Sequence, residues 1–181
     1  MECDGKTAME FNRTQRASDD EDLYKQYYID ANEDGTKPYS FGNFTNLVEL
    51  DVDDNALMGH IPNNISQMQA LEKLYLSSNM LSGSIHSSVT NLTAILVLYM
   101  DTNYLWGTIP FPSRSSGMPY LGFLRLHNNH LIGNILPTFG YLVCLQKVSL
   151  SNNKLEGTLA SSLGNLHSLT QLYLSDNSFS S

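Results

Sequence analysis

The chain has 181 residues, 41% of them hydrophobic, and a formal net charge of −8. This length fits one domain with a packed core, and no apolar run approaches the ~20 residues of a membrane-spanning helix. Fourteen of the 18 acidic residues fall within residues 1–54, beside five of the ten basic ones. The acidic balance argues against a nucleic-acid partner, which requires a basic face.

The first 43 residues are interpreted as an acidic N-terminal arm or cap. Gly35 and Pro38 precede Gly59 and Pro62 by 24 residues, and this offset predicts a degenerate first repeat at about 23–46. The segment lacks the basic and apolar regions of a secretory signal peptide, which opposes an extracellular location.

A calcium-loop pattern occurs inside this arm. Asp30, Asn32 and Asp34 have the spacing that opens a calcium-binding loop, and a glycine follows them. The twelfth position of such a loop is Phe41, where calcium binding needs a bidentate glutamate. We therefore expect an acidic turn here and no bound metal.

From residue 44 onward the chain repeats a 24-residue unit. Each unit has an L-x-L strand pattern, an asparagine, a leucine or phenylalanine two residues later, and in five units a glycine. One face of such a strand points inward, and a buried asparagine can bond the turning backbone. One unit cannot bury its own apolar face, so stacked units must share a core. The predicted asparagine ladder comprises Asn55, Asn79, Asn103, Asn129, Asn153 and Asn177.

These units resemble the plant-type leucine-rich repeat. Residues 47–71 read LVELDVDDNALMGHIPNNISQMQAL, with the diagnostic G-x-I-P, and 150–169 end with L-G-x-L. The resemblance implies an α/β solenoid: a right-handed superhelix of about six repeats over 44–181, with a concave parallel β-sheet and a second short strand near G-x-I-P. No C-terminal cap is recognised. Proline is missing after Ile85, Ile135 and Leu159, which we expect to weaken the turn of the second strand there but not the coil.

The third unit carries two extra residues within 110–120, and these predict a bulge on the convex back. Cysteine usage is sparse. Cys3 and Cys144 lie far apart, so we expect no disulfide framework and interpret Cys144 as a small buried hydrophobe.

The exposed strand positions would line the concave face. In register they form columns across the sheet, with acids at the N-terminal end and aromatic and basic residues in the middle. Such residues are typical of interface anchors, although exposed tyrosine also simply suits a strand surface. The pair Arg125-x-His127 resembles the basic side chains with which some plant-type peptide receptors hold a terminal carboxylate. The candidate ligand-binding residues are Tyr75, Tyr99, Asp101, Phe123, Arg125, His127 and Tyr173.

Four N-x-S/T sequons, at Asn12, Asn43, Asn64 and Asn91, favour an extracellular or cell-surface protein with N-linked glycans. No catalytic motif or cofactor signature is present. The sequence therefore predicts a non-catalytic recognition module for a peptide or protein, such as a receptor ectodomain or a secreted protein. The alternative is a structural subunit of an extracellular filament or coat that stacks with its own copies through an uncapped C-terminal edge.

Overall fold

The computed structural model describes residues 44–113 and 117–180, and strands of two parallel sheets alternate along them. The first sheet has the order β1-β3-β5-β7-β9-β11, with strands Glu49–Asp51, Lys73–Tyr75, Val97–Tyr99, Phe123–Arg125, Lys147–Ser149 and Gln171–Tyr173. The second sheet has the order β2-β4-β6-β8-β10-β12, with strands Met58–His60, Met80–Ser84, Tyr104–Thr108, His130–Asn134, Lys154–Thr158 and Ser178–Ser180.

Each coil therefore gives one strand to each sheet. In four coils a short 3₁₀ helix closes the circuit: Asn63–Gln67, Ser87–Asn91, Pro137–Tyr141 and Ser161–Asn165. Register is strict in the first sheet, where Leu50 pairs with Leu74 and Leu98 with Leu124. The predicted α/β solenoid of leucine-rich repeats is confirmed.

The core is a continuous apolar column between the two sheets and the 3₁₀ helices. Leu74, Leu81 and Leu105 have no exposed surface. Ile65, Met68 and Leu71 follow the second strand of one coil and are at most 2% exposed. Burial of this kind is the dominant favourable contribution to folding, and here it exists only because neighbouring coils share it.

From the second described coil onward, the asparagine of each repeat bonds the backbone of its own coil and the preceding one. Asn103 donates through Nδ2 to the carbonyls of Leu76 (2.8 Å), Met100 (3.3 Å) and Asp101 (3.2 Å), and its Oδ1 accepts from Leu81 N–H at 2.9 Å. Asn79, Asn129, Asn153 and Asn177 make the same set of bonds. These bonds satisfy backbone groups where the chain leaves the sheet.

The residue before each of these asparagines has a left-handed backbone. Asp54, Ser78, Thr102, Asn128, Asn152 and Asp176 all have φ between 54° and 57°. Four of the six are Asp or Asn, whose short polar side chains tolerate this region best. The left-handed residue turns the chain from the first sheet towards the second.

The repeated glycine has two structural reasons. Gly133 has φ +83°, and a Cβ there would lie 3.0 Å from Thr108 Cγ2 of the preceding coil. A side chain would be strained by the backbone conformation and crowded by its neighbour.

The second-sheet strands without a following proline are not shortened. Strands β4, β8 and β10 lack that proline and have five residues, whereas β2 has it and only three. Parallel pairing to neighbouring strands and the asparagine bonds hold these segments, so the proline is not needed.

The expectation of no disulfide and the interpretation of Cys144 as a small buried hydrophobe are wrong. This residue is only partly buried and is disulfide-bonded. Its role follows from covalent pairing and not from apolar packing; the other cysteine of the sequence, Cys3, lies outside the described residues.

The third coil differs from the others on its back. Phe111 packs edge-on against Phe139, with ring centroids 4.9 Å apart, and Pro112 and Met118 are buried. No 3₁₀ helix is present there in the described residues. Residues 114–116 of the predicted bulge fall outside them.

Candidate functional site on the first sheet

The solvent side of the first sheet carries the side-chain columns that the sequence predicts. Tyr75 pairs with Tyr99, Tyr99 with Arg125, and Arg125 with Ser149. The flanking column runs Glu49, Lys73, Val97, Phe123, Lys147 and Gln171. Part of these columns forms the first-sheet surface, which consists of Tyr99, Phe123, Arg125, Lys147, Ser149, Gln171 and Tyr173.

Aromatic and basic side chains contact each other at the centre of this surface. The guanidinium carbon of Arg125 lies 4.2 Å from the centroid of the Tyr99 ring, a cation–π distance. The Tyr75 ring meets the Tyr99 ring edge-on at 5.4 Å. Tyr99 is therefore held between two neighbours, and Arg125 is held in place by its contact with Tyr99.

A shallow pocket of about 60 Å³ lies beside this cluster and is lined by the first-sheet surface. Arg125 and Lys147 are exposed, and no carboxylate of the described residues lies within 4.0 Å of either charged group. Two uncompensated positive charges beside aromatic rings suit an anionic group with an apolar neighbour.

Two predicted ligand-binding residues are buried. Tyr75 is 9% exposed and Asp101 is 8% exposed, so neither presents the surface expected of an outward strand position. Tyr99 covers Tyr75, and His127 and Ser77 cover Asp101. Burial, followed by the charges of Glu49 and its neighbours, raises the pKa of Tyr75 above its usual range. Both residues support the surface from beneath.

A polar row runs along the ends of the first-sheet strands. Ser77 Oγ donates to Asp101 Oδ1 at 2.9 Å, and Asp101 Oδ2 lies 3.4 Å from His127 Nε2. The backbone N–H of Ser77 donates to Asp53 Oδ1. His127 Nδ1 is buried without a hydrogen-bond partner among the described residues.

Asp53 has a perturbed acidity within this row. Burial raises its pKa to about 6, the hydrogen bond from Ser77 opposes that rise, and the charges of Asp51, Asp101 and Asp54 add to it. In the structure β1 ends at Asp51, and Asp53 is half-buried in the turn that follows.

The row does not have the geometry of a nucleophilic triad. Asp101 lies between Ser77 and His127, whereas a triad places the histidine between the serine and the acid so that it can accept the serine proton. Within residues 44–113 and 117–180, no group of three or more His, Cys, Asp or Glu residues could hold a metal ion. Asp30, Asn32 and Asp34 lie outside those ranges, as do most of the degenerate first repeat and the arm.

Sequence reasoning missed an exposed apolar patch on the second sheet. Trp106 is 56% exposed and Met58 is 58% exposed, and Tyr104, Met80 and Ile132 are exposed beside them. The alternation of β6 and β8 could have shown it, because Trp106 and Ile132 occupy outward positions that hold Glu156 and Ser82 in other coils.

Two of the four sequons lie in the described part of the chain. Asn64 is the second residue of the 3₁₀ helix Asn63–Gln67 and is partly buried. Asn91 ends the helix Ser87–Asn91 and is exposed. Asn12 and Asn43 lie outside the described residues.

Comparison with known families matches the model described as Leucine Rich Repeat at residues 46–68, 70–92 and 144–166. A chain in the BIR3–SERK2 complex from Arabidopsis thaliana is 31% identical, with a TM-score of 0.63. The match covers 73% of this chain and 69% of that one. This chain belongs to the plant-type leucine-rich-repeat family. Comparison with curated proteins gave no significant match.

Other solved members of the family are much longer than this chain. The PEPR1–AtPEP1 structure matches with 36% identity and a TM-score of 0.74, covering 79% of this chain and 20% of that one. The leucine-rich-repeat ectodomain of the membrane receptor kinase GASSHO1/SCHENGEN3 from Arabidopsis thaliana, in complex with CASPARIAN STRIP INTEGRITY FACTOR 2, matches with 28% identity and a TM-score of 0.64. That match covers 79% and 20% of the two chains. The chain therefore spans about a fifth of the length of these two proteins.

Proposed function

We propose that this leucine-rich-repeat chain is a non-catalytic recognition module that binds a peptide or protein through the first-sheet surface. The observation that carries the proposal is the stacked contact of Arg125 on Tyr99 beside a shallow pocket. Tyrosine and arginine dominate the energetics of known interfaces, and their cost of immobilisation is lower when they are already held.

The chemistry of the surface defines the ligand class. Arg125 and Lys147 line the same pocket as Phe123 and Tyr173. A guanidinium that stacks through its face can still donate N–H groups from its edge to a carboxylate. We infer that an acidic side chain or a terminal carboxylate is bound here, next to an apolar or aromatic ligand residue.

The distribution of charge along the first sheet predicts the orientation of a bound ligand. Glu49, Asp51 and Asp54 lie in the first coil, whereas Arg125 and Lys147 lie in the fourth and fifth. Strands are about 4.8 Å apart, so the first and fifth are separated by about 19 Å, the span of roughly six extended residues. An extended ligand segment of this length would place basic residues over β1 and its acidic end over β7 and β9.

The comparisons support this class of function. PEPR1 was solved with AtPEP1, and the GASSHO1/SCHENGEN3 ectodomain with CASPARIAN STRIP INTEGRITY FACTOR 2. AtPEP1 and CASPARIAN STRIP INTEGRITY FACTOR 2 are the ligands of those two proteins. For this chain we propose only the chemical class of the ligand. Likeness to the ectodomain of a membrane receptor kinase also supports an extracellular or cell-surface location. No helix among the described residues is long and apolar enough to span a membrane.

Selection from a displayed random peptide library tests the proposal. Folded wild-type protein is the bait, and Arg125→Ala and Trp106→Ala variants are matched baits altered on the first and second sheets. We expect enriched peptides with an Asp or Glu next to an aromatic residue, retained by Trp106→Ala and lost by Arg125→Ala. Enrichment that depends on Trp106 and not on Arg125 would refute the first-sheet proposal.

Assembly through the C-terminal coil is a second candidate. Leu172 of β11 is 37% exposed, and Leu174 and Phe179 are only partly buried. Exposed apolar residues on a solenoid coil suit stacking against another coil. Light scattering across a concentration series tests this candidate: a mass that rises with concentration and returns to the monomer value on Leu172→Glu supports it, and a constant monomer mass rejects it.

A further inference from the structure

We infer that N-linked glycan acceptance in this solenoid is set by position within the 3₁₀ helix, so that Asn91 carries a glycan and Asn64 does not. The inference rests on the extracellular location proposed above. Asn64-Ile-Ser66 and Asn91-Leu-Thr93 are both complete sequons, so sequence alone does not separate them. Their positions in the coil distinguish the two sequons.

Asn64 occupies the second position of its helix, and this position is confined in every described helix. Its equivalents are Ser88, Thr138 and Ser162, all partly buried, and the Oγ of Ser162 is fully buried. In one pair of coils the fourth position of a helix approaches the second position of the next: a Cβ on Gly140 would lie 2.5 Å from the Ser162 carbonyl oxygen and 3.0 Å from its Cβ. A branched substituent on Ser162 would meet the preceding coil there.

The surroundings of Asn64 show the same confinement. Its Oδ1 is buried. In the next coil, Ser88 Oγ donates to the carbonyl of Asn63 at 2.8 Å, which holds the two helices together beside this amide. A sugar on Nδ2 would be bonded to the nitrogen next to the buried Oδ1, so it would push the first coil away from the second.

Asn91 occupies the last position of its helix, and this position is open throughout the described solenoid. Its equivalents Gln67, Tyr141 and Asn165 are all exposed. Within the described residues the side chain of Asn91 makes no hydrogen bond, while its carbonyl accepts from Gln69 Nε2 at 3.3 Å. Thr93 Oγ1 donates to Gln69 Oε1 at 3.2 Å, which fixes the sequon against the preceding coil. Modification of the Asn91 side chain leaves these contacts intact.

The modification is transfer of an oligosaccharide from a lipid diphosphate donor. A bond forms between Asn91 Nδ2 and the anomeric carbon, the bond from that carbon to the diphosphate oxygen breaks, and the diphosphate leaves with the electron pair. The amide proton passes to a base of the transferring enzyme. If the oligosaccharide were transferred to Asn64 of the unfolded chain, the product could not fold its first coil against the second. The quality control of the secretory pathway would then degrade this misfolded product.

Two engineered sequons test whether glycosylation depends on the position in the helix or on the local sequence. His167→Thr completes a sequon at Asn165, which is exposed at the last helix position. Ser88→Asn creates a sequon with Val89 and Thr90 at the confined second position. The first change should add one glycan to a secreted, folded protein. The second should give either secreted protein without a glycan at that position or a loss of secretion.

Site-specific glycopeptide mass spectrometry tests the inference on the full chain, secreted from plant or insect cells behind a secretory leader. We expect glycan on Asn91 and not on Asn64, loss of one glycan mass in Asn91→Gln, and no mass change from glycan in Asn64→Gln. A secreted folded protein with glycan on Asn64, or with a bare Asn91, would overturn the inference. Peptide binding by unglycosylated bacterial protein is measured separately, so failure of the proposed recognition function is distinguishable from failure here.

Discussion

The side-chain oxygen of Asn103 accepts a hydrogen bond from the backbone N–H of Leu81, 2.9 Å away in the preceding coil. The same side chain donates to the carbonyl of Leu76 at 2.8 Å. One residue therefore satisfies a donor and an acceptor that no strand reaches, and it joins two coils in doing so.

Asn103→Ala should destabilise the chain, because it leaves the buried Leu81 N–H without its partner and removes the shorter of the two amide bonds to the Leu76 carbonyl, which keeps only Asn79 Nδ2 at 3.3 Å. A buried donor without a partner costs about 1–3 kcal/mol, and we expect a loss of that size in the free energy of unfolding. Urea unfolding measures it. Asn55→Ala is the control, since Asn55 is exposed and bonds only carbonyls of its own coil, those of Val52 and Asp53, among the described residues. Equal losses at the two positions would contradict the role assigned to the amide.

Gly133→Ala should destabilise by about 1–3 kcal/mol, because the backbone there has φ +83° and a Cβ would crowd Thr108. Gly164 provides the comparison. A Cβ at Gly164 meets nothing within 4 Å and its φ is not in the left-handed region, so Gly164→Ala should be neutral or slightly stabilising. Thermal unfolding of both variants checks the pair, and a well-tolerated Gly133→Ala would refute the crowding argument.

Thr102→Asn should stabilise the protein. Thr102 is β-branched and has φ +57°, a conformation that asparagine adopts at lower cost. The next two coils already carry Asn128 and Asn152 at this position, joined by an amide hydrogen bond of 2.8 Å. An asparagine at 102 would extend that row by one coil, and we expect a gain of about 0.5–1 kcal/mol. A lower melting temperature than wild type would show that the Thr102 hydroxyl contacts matter more than its backbone strain.

Asp53→Asn should raise stability at neutral pH. The pKa of Asp53 rises from 3.8 to about 6 on folding, so the folded state binds its proton more tightly than the unfolded state. The free energy of unfolding therefore falls as the pH rises from 3.8 to about 6, and it stays at this lower value above pH 6. Asparagine retains an acceptor for the Ser77 N–H without the charge. The expected gain at pH 7 is roughly 1 kcal/mol after allowance for solvent screening at this half-exposed site.

Unfolding free energies measured from pH 4 to pH 7 check this effect. The gain of Asp53→Asn over wild type should grow through that interval. Asp176→Asn removes a charge from an exposed residue in the equivalent turn of another coil and should show no such trend. A variant at position 53 that is less stable than wild type at pH 7 would mean that the carboxylate charge itself is stabilising.

Most of the fold was predictable because the same residues recur at a nearly constant spacing. The six asparagines and the inward leucines mark every coil, and their structural roles follow from backbone hydrogen bonding and burial. The second-sheet strands were harder to predict, since β4, β8 and β10 form without the proline that signals the turn. The left-handed residue before each asparagine was missed because its identity varies, from Asp54 to Thr102.

The candidate site was predictable only in outline. Strand alternation placed Tyr99 beside Arg125 correctly, because parallel register aligns equivalent positions of adjacent coils. It could not show that Tyr75 and Asp101 are covered by their neighbours, since burial of an outward residue depends on the size and rotamer of the side chains around it. The same limit explains why two sequons of equal quality, at Asn64 and Asn91, differ in accessibility.

The central claim is that ligands bind on the first-sheet surface. Titration calorimetry with a peptide selected on the wild-type protein tests it most directly, with Arg125→Ala, Tyr99→Ala and Trp106→Ala as variants. We expect Arg125→Ala and Tyr99→Ala each to raise the Kd at least about tenfold, because an anchor residue contributes ~1.4 kcal/mol or more to the free energy of binding. We expect an unchanged Kd for Trp106→Ala. Binding that survives both first-sheet changes and is lost with Trp106→Ala would contradict it and move the site to the second sheet.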